Sequence, residues 1–454
     1  LVGGGALNVL IRSELDGFFG LSAVIGIGLG ALLFVAGLRR RRSSIRKPVW
    51  VAVAAIGGGA LVALALLTAS AVSARNDLTN GTRYANDAIA SVNAGDYNLA
   101  ASQFADAASA FGRVDDRLNG PLALPSRLVP AVAQNVRAAA TLADEAAAGA
   151  ADAADALGTI DPATLTVTNG VIDLDAIRAV EAPLTQVSDA VVGLGVAVDD
   201  ARSPGLLARF PVELHDLDAR IDDNQPRLAN AVTAVQLAPQ LLGGDGERRY
   251  LVLFTTPSEA RGMTGFAGNY AELVADDGRI TLGAVEQIGD LNTATAANDV
   301  TCADCPPEYI ARYGRYSLAV GDDLLTRSPA WSNITIGGHF PDVAQTVQAV
   351  YPQTGASDID GVIAIDPYVF QALMGYTGPI EVPQFQTVVE PAAAAEFLLH
   401  DQYALEEQFG DQEQALQTLG VEVFGRLLGG ALPEPAVVAR DLGPLVDENR
   451  LLFW

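Results

Sequence analysis

Arg261 stands in the stretch "TTPSEARGMTGFAGNYAEL" (255–273), between the apolar run Tyr250–Phe254 and a second strand-like segment. Gly262, Gly265 and Gly268 beside it let the backbone turn tightly and let another group approach closely. Backbone N–H groups next to a fixed guanidinium form a seat for an anion such as a phosphate or carboxylate. Glu259, two residues earlier, is in position to orient Arg261 through an ion pair. The same residues have a plainer reading, in which the glycines serve turn geometry and the Glu–Arg pair is a surface contact worth about 1 kcal/mol or less. Further cations flank the stretch: Arg248 and Arg249 precede the apolar run, and Arg312 and Arg315 lie in "YIARYGRY" among Tyr309, Tyr313 and Tyr316. Aromatic rings with charged neighbours suit sugars or polymers, and equally suit a half-buried helix with snorkelling arginines. The expected anion-binding set is therefore Arg261, Glu259, Arg248, Arg249, Arg312 and Arg315.

Other chemistries find less material. Cys302 and Cys305 form a C-x-x-C, but zinc wants four ligands, and His215, His339 and His400 are far off in sequence and unclustered. The flanks do not read as the strand and helix of a thioredoxin-like redox pair. A structural disulfide is expected. Asp358, Asp360 and Asp366 are candidate metal ligands, but Asp366 precedes Pro367 and suits a helix N-cap. No metal site or cofactor is assigned, and a divalent metal stays open. HExxH, Walker, G-x-S-x-G and Rossmann patterns are missing from the sequence.

The positions that must hold these residues follow from charge and hydropathy. Of 454 residues, 28 are Lys or Arg and 54 are Asp or Glu, a net charge of −26, which argues against nucleic acid as partner. Through Arg75 the balance is +6, leaving −32 for the rest. Residues 18–38 and 49–73 carry no charge, and about 20 apolar residues suffice to cross a bilayer. Between them lies the basic stretch 39–47, of the kind that stays in the cytoplasm. A transmembrane hairpin over 1–75 is expected, in contact with membrane lipid, with everything after Arg75 extracytoplasmic. The chain begins at Leu1 and stops at Trp454 after an apolar run, so a fragment of a longer protein is expected, cut within its last domain.

Residues 76–240 are alanine-rich and helical in pattern, broken at Gly120-Pro121, Pro125, Pro130, Pro162, Gly170, Pro204 and Pro226. About five helices in a bundle are expected, as a spacer or as a stalk that binds a protein partner. After Gly243–Gly246 the texture changes to strands at 250–254, 266–275 and 279–287, with Asp276-Asp277-Gly278 as a hairpin turn. Helices are expected at 341–351, 367–374 and 392–428, with strands at 359–366 and 378–382. Residues 247–454 thus read as an α/β layered domain, and the whole as a mixed α+β and α/β chain with two transmembrane helices and a helical stalk.

The motifs Arg248–Phe254, "SEARG" at 258–262, "TGFAGNY" at 264–270, Asp277–Ile280, "IDGVIAIDP" at 359–367 and Thr377–Pro379 resemble the domain of unknown function 4012 family. That resemblance implies an actinobacterial envelope protein. The strand, arginine-bearing turn and hairpin, followed by "DGVIAIDPYVFQALMGYTGPIEVP", also look like the LytR-CpsA-Psr family. Those enzymes transfer glycopolymers from polyprenyl diphosphate carriers to peptidoglycan, using arginines, acidic residues and a divalent metal. Arg261 falls where that family has the arginine of an Arg-Ser-Asp-Thr stretch, but Gly262-Met263-Thr264 follows, without the aspartate. Near the family's Arg- and Gln-rich stretch, 410–414 carries no arginine.

The function expected from these readings is a membrane-anchored, extracytoplasmic binding or accessory protein of cell-envelope glycopolymer or exopolysaccharide assembly. Its expected ligand is a polyprenyl-linked glycan or cell-wall polymer. The alternatives are an active glycopolymer phosphotransferase and a structural or sensory scaffold.

Overall fold

The computed structural model describes residues 74–92, 94–121, 123, 130–160, 167, 169–202, 210–262, 264–317, 329–409, 413–430, 432–433 and 435–454. The transmembrane hairpin expected over 1–75 lies outside these residues, apart from its last two positions. Among the described residues no helix is long and apolar enough to cross a membrane.

The chain divides into two compact units. One takes 74–91, 97–159 and 183–232 of the described chain; the other takes 92–96, 160–182 and 233–454. In order, the helical elements are α1 (74–92), α2 (Tyr97–Asn119), α3 (Pro130–Gly158), α4 (Leu174–Ala201) and α5 (Phe210–Leu241). In α2 the buried side chains are Ala100, Ala107, Ala110, Val114 and Leu118, a helical repeat of small and branched residues. Alanine carries little apolar area, so helices meet closely: a Cβ at Gly81 would lie 2.7 Å from the Phe111 ring. Asp77, which is buried, is held by Arg113 at 3.0 Å and Arg117 at 2.9 Å.

The second unit is built on a six-stranded mixed sheet of order β3-β2-β1-β5-β8, with β4 paired to β2. Its strands are β1 (Arg248–Thr256), β2 (Phe266–Asp276), β3 (Arg279–Leu282), β4 (Glu286–Gln287), β5 (Gly361–Ile365) and β8 (Leu451–Phe453), while β6 (Ile380–Val382) and β7 (Thr387–Val389) form a separate pair. The β2–β3 turn has positive φ at Asp277 and Gly278, the Asp-Gly combination that matches strand twist. The stretch expected as one strand over 279–287 is two pieces, interrupted where Gly283 N–H turns to donate to Glu272 O. β1 and β5 pair in parallel at the centre, Tyr250 opposite Gly361 and Phe254 opposite Ile365.

Strand β1 is buried on both faces, which explains its unbroken apolar run. Leu251 and Leu253 enter one core with Tyr309, Trp331 and Val347; Val252 and Phe254 enter another with Phe370, Met374 and Leu419. The first core is covered by α6 (Ile288–Ala297), α7 (Pro307–Ser317), a 3₁₀ turn (Trp331–Ile336) and α8 (Phe340–Val350). The second is covered by α9 (Pro367–Thr377), α10 (394–409), α11 (Glu413–Gly429) and α12 (Pro435–Asp447). The segment expected as one helix over 392–428 is α10 and α11, and α10 contains a π turn at Phe397–Asp401. The described residues 160, 167 and 169–182, assigned by composition to the helical segment, belong to the sheet-bearing unit. Val171 bridges Arg279, and Ile172 N–H donates to Gly278 O at 2.9 Å.

Candidate functional site

The arginine-bearing turn leaves the C-terminal end of β1 and packs on the 3₁₀ turn. A Cβ on Gly262 would lie 2.0 Å from Gly337 O, and one on Gly265 (φ +93°) 2.1 Å from Thr256 O. Those two glycines therefore serve close backbone approach and turn geometry. Gly268 meets nothing closer than 3.6 Å and is under no such demand.

Arg261 donates from Nη1 to Ala260 O at 2.9 Å and from Nε to Ser332 O at 3.4 Å, with its guanidinium 5.3 Å from the Phe266 ring centroid. The expected Glu259–Arg261 ion pair is not made; Glu259 is exposed and contributes its carbonyl to Phe266 N–H. Among the described residues Arg261 has no carboxylate partner.

The other expected cations lie elsewhere. Arg248 and Arg249 open β1, whose nine residues put them about 26 Å from its other end. Arg248 Nη1 binds Asp360 Oδ1 at 2.7 Å, and Arg249 is shared between Glu247 at 2.7 Å and Glu272 at 3.3 Å. Both are committed to carboxylates. Arg312 and Arg315 are exposed on α7, the first 3.6 Å from Glu308 and the second 5.7 Å from the Tyr316 ring centroid. Arg261 and α7 touch the same 3₁₀ turn, but Arg248 and Arg249 are not brought to it.

Cys302 and Cys305 are joined by a disulfide, and both are buried against the first core. Among the described residues no three His, Cys, Asp or Glu side chains gather as a metal site requires. Asp360 is held by Arg248 and by the Arg249 N–H, while Asp366 caps α9. Tyr270 and Tyr351 each donate to a carboxylate, Glu286 and Glu272, and burial first, then those bonds, pushes both phenols up.

A shallow concavity lies between α9, α12 and the turn at Pro391. It is an open trough of about 410 Å³ lined by Tyr368, Gln371, Tyr376, Asp441 and Leu445, among others. Tyr368, Gln371 and Gly375 recur at helical spacing on one face of α9, with Tyr376 next to them. Tyr376 donates to Asp441 Oδ2 at 3.0 Å, and Arg440 Nε donates to Asp441 Oδ1 at 2.9 Å. Burial, then the Asp441 bond, pushes the Tyr376 phenol up to about 12, so it stays protonated. The Asp441 carboxyl is held below its usual range, first by the Arg440 bond and also by that of Tyr376.

The rim is fixed from below by Asp366. Its Oδ1 accepts from Tyr368 N at 2.9 Å and Val369 N at 3.3 Å, and its Oδ2 meets Arg450 Nη1 at 2.9 Å. The Arg450 guanidinium lies 3.9 Å from the Tyr368 ring centroid and covers one face of that ring. Tyr368 as a whole residue is still 37% exposed.

The motifs of β1, the arginine turn, β5 and α9 fall within one stretch that matches a known family. Its model, described as "Protein of unknown function (DUF4012)", matches residues 245–403. Residues 245–403 are a DUF4012 domain. No curated protein and no solved structure matches the chain. The DUF4012 match takes in Tyr368, Gln371 and Tyr376 but stops before Asp441 and Arg450, so the trough combines matched and unmatched segments.

Sequence reasoning missed the trough. Its signal was present in "PYVFQALMGY" (367–376), where two tyrosines and a glutamine punctuate an otherwise apolar helix. The partner Asp441 lies 65 residues further on and carries no local mark.

Proposed function

We propose that this protein is a membrane-anchored, extracytoplasmic saccharide-binding accessory factor of cell-envelope glycopolymer or exopolysaccharide assembly. The observation that carries the reading is the trough. An open channel with two tyrosines, an amide and a carboxylate suits a chain lying along it better than a small molecule enclosed on all sides. A pyranose ring offers C–H faces to aromatic rings and hydroxyls to amides and carboxylates. The Cys302–Cys305 disulfide supports an oxidising compartment. The apolar stretches 18–38 and 49–73 around a basic loop support anchorage with the DUF4012 domain outside. The LytR-CpsA-Psr likeness rests on motifs alone and adds a glycopolymer context.

The test is binding of cell-envelope polysaccharide fragments to the full chain in nanodiscs, comparing wild type with the Tyr368→Ala/Tyr376→Ala double variant. Saturable binding lost in the variant supports the reading; equal binding by both, or none by either, overturns it. Arg261, without a carboxylate partner among the described residues, favours a second reading as an anion-binding group in phosphotransfer. Turnover of a polyprenyl-diphosphate-linked glycan that is abolished by Arg261→Ala would establish that reading in place of an accessory role.

A further inference from the structure

Tyr376 and Asp441 decide what kind of saccharide the trough accepts. The carboxylate uses one oxygen for Tyr376 and the other for Arg440, and a carboxylate has lone pairs for about four bonds in all, so acceptor capacity is left for sugar hydroxyls. Gln371 accepts from Ala395 N through Oε1 at 3.3 Å, and among the described residues its amide nitrogen makes no bond. That nitrogen supplies two donors. The Tyr368 hydroxyl likewise has no partner among the described residues, and its ring packs under Arg450.

The lining residues include no lysine or arginine. Arg440 is exposed and bound to Asp441, while Arg450 is shared between Asp366 and Glu448 at 2.9 and 2.6 Å. An anionic sugar entering the trough would meet the Asp441 carboxylate, whose ion-pair partner Arg440 does not itself belong to the lining. The rest of the chain beyond Arg75 adds a strongly acidic background. Like charges at hydrogen-bonding distance in a half-solvated groove reduce affinity by roughly tenfold or more.

We infer that the trough formed by Tyr368, Gln371, Tyr376 and Asp441 selects an uncharged saccharide chain and rejects uronic-acid or phosphate-bearing polymers. The inference rests on the saccharide-binding reading above. It also means that any lipid diphosphate on such a glycan stays outside the trough.

The test uses the full chain in nanodiscs at low salt, titrated calorimetrically with fragments of matched length. Neutral probes are glucan, mannan and arabinogalactan fragments; acidic probes are hyaluronan and polygalacturonate fragments. At least one neutral probe is expected to bind tenfold or more tighter than either acidic one. Asp441→Asn, which keeps an acceptor for Tyr376, is expected to shrink that ratio by about tenfold. Adding salt is expected to narrow the wild-type ratio. Tighter binding of an acidic probe, or a ratio unmoved by Asp441→Asn, overturns the charge selection while leaving saccharide binding standing. Absence of binding by every probe overturns both.

Discussion

Asp366 and Arg450 tie the rim of the trough to the sheet, and a double-mutant cycle measures that tie. Asp366 is 4% exposed at its side chain and Arg450 28%, so the pair is partly shielded but not sealed. Asp366→Ala removes the α9 cap, worth about 1 kcal/mol. It also takes the buried partner from Arg450. Breaking a fully buried pair costs about 3–5 kcal/mol, but Arg450 reaches solvent and keeps Glu448, which reduces that part to about 1–2 kcal/mol. The expected total is about 2–3 kcal/mol. Asp366→Asn keeps the cap and should cost about 1–2 kcal/mol. Arg450→Ala leaves a buried carboxylate with its two backbone N–H bonds and removes the cation from the Tyr368 ring, for about 2–3 kcal/mol. The Asp366→Ala/Arg450→Ala double variant should fall short of the sum by about 1–2 kcal/mol, as neighbours do. Urea unfolding read through the fully buried Trp331 is the assay. A coupling within experimental error of zero would refute the pair as a structural tie, and equal costs for Asp366→Ala and Asp366→Asn would refute the cap.

Three further outcomes are expected. Gly265→Ala should destabilise by about 2–4 kcal/mol, from left-handed backbone and overpacking against Thr256, while Gly268→Ala should change the midpoint little; thermal melts of the two side by side check this. The Cys302→Ser/Cys305→Ser double variant should lose about 2 kcal/mol through the unfolded state, the small value reflecting a four-residue loop, seen as a lower urea midpoint. Tyr309 and Tyr376 are both pushed up to about 12, each chiefly by burial. The unfolded chain releases those protons from about pH 10, so stability is intact below pH 10 and falls as pH rises through 12. Melting temperature against pH should show that fall, and Tyr376→Phe should make it shallower.

Much of the sheet-bearing unit was legible because its signals are local. The Asp-Gly turn at 277–278, the Pro341 and Pro367 helix starts and the Asp366 cap each depend on a few adjacent residues. The break at Gly283 and the π turn in α10 were not legible, since both answer to neighbours distant in the chain. The candidate site fared worse for the same reason. Arg248 and Arg249 look like free cations in sequence, yet Asp360, more than 100 residues away, occupies both the Arg248 guanidinium and the Arg249 N–H. Tyr376 and Asp441 show no sign of their pairing until α9 and α12 are brought together.

The order of the sheet also fixes a timetable. The β1–β2 hairpin closes over residues 257–265, but the other flank of β1 waits for β5, about 110 residues later, and β5 in turn waits for β8, about 90 residues beyond. A chain emerging amino end first therefore holds Tyr250–Phe254 as a bare apolar edge for the synthesis time of a small domain. Such an edge invites pairing with the wrong neighbour, and late, long-range closure is slow. Of the strands in this sheet, β1 is thus the one whose second flank stays open longest to mispairing before its parallel partner arrives.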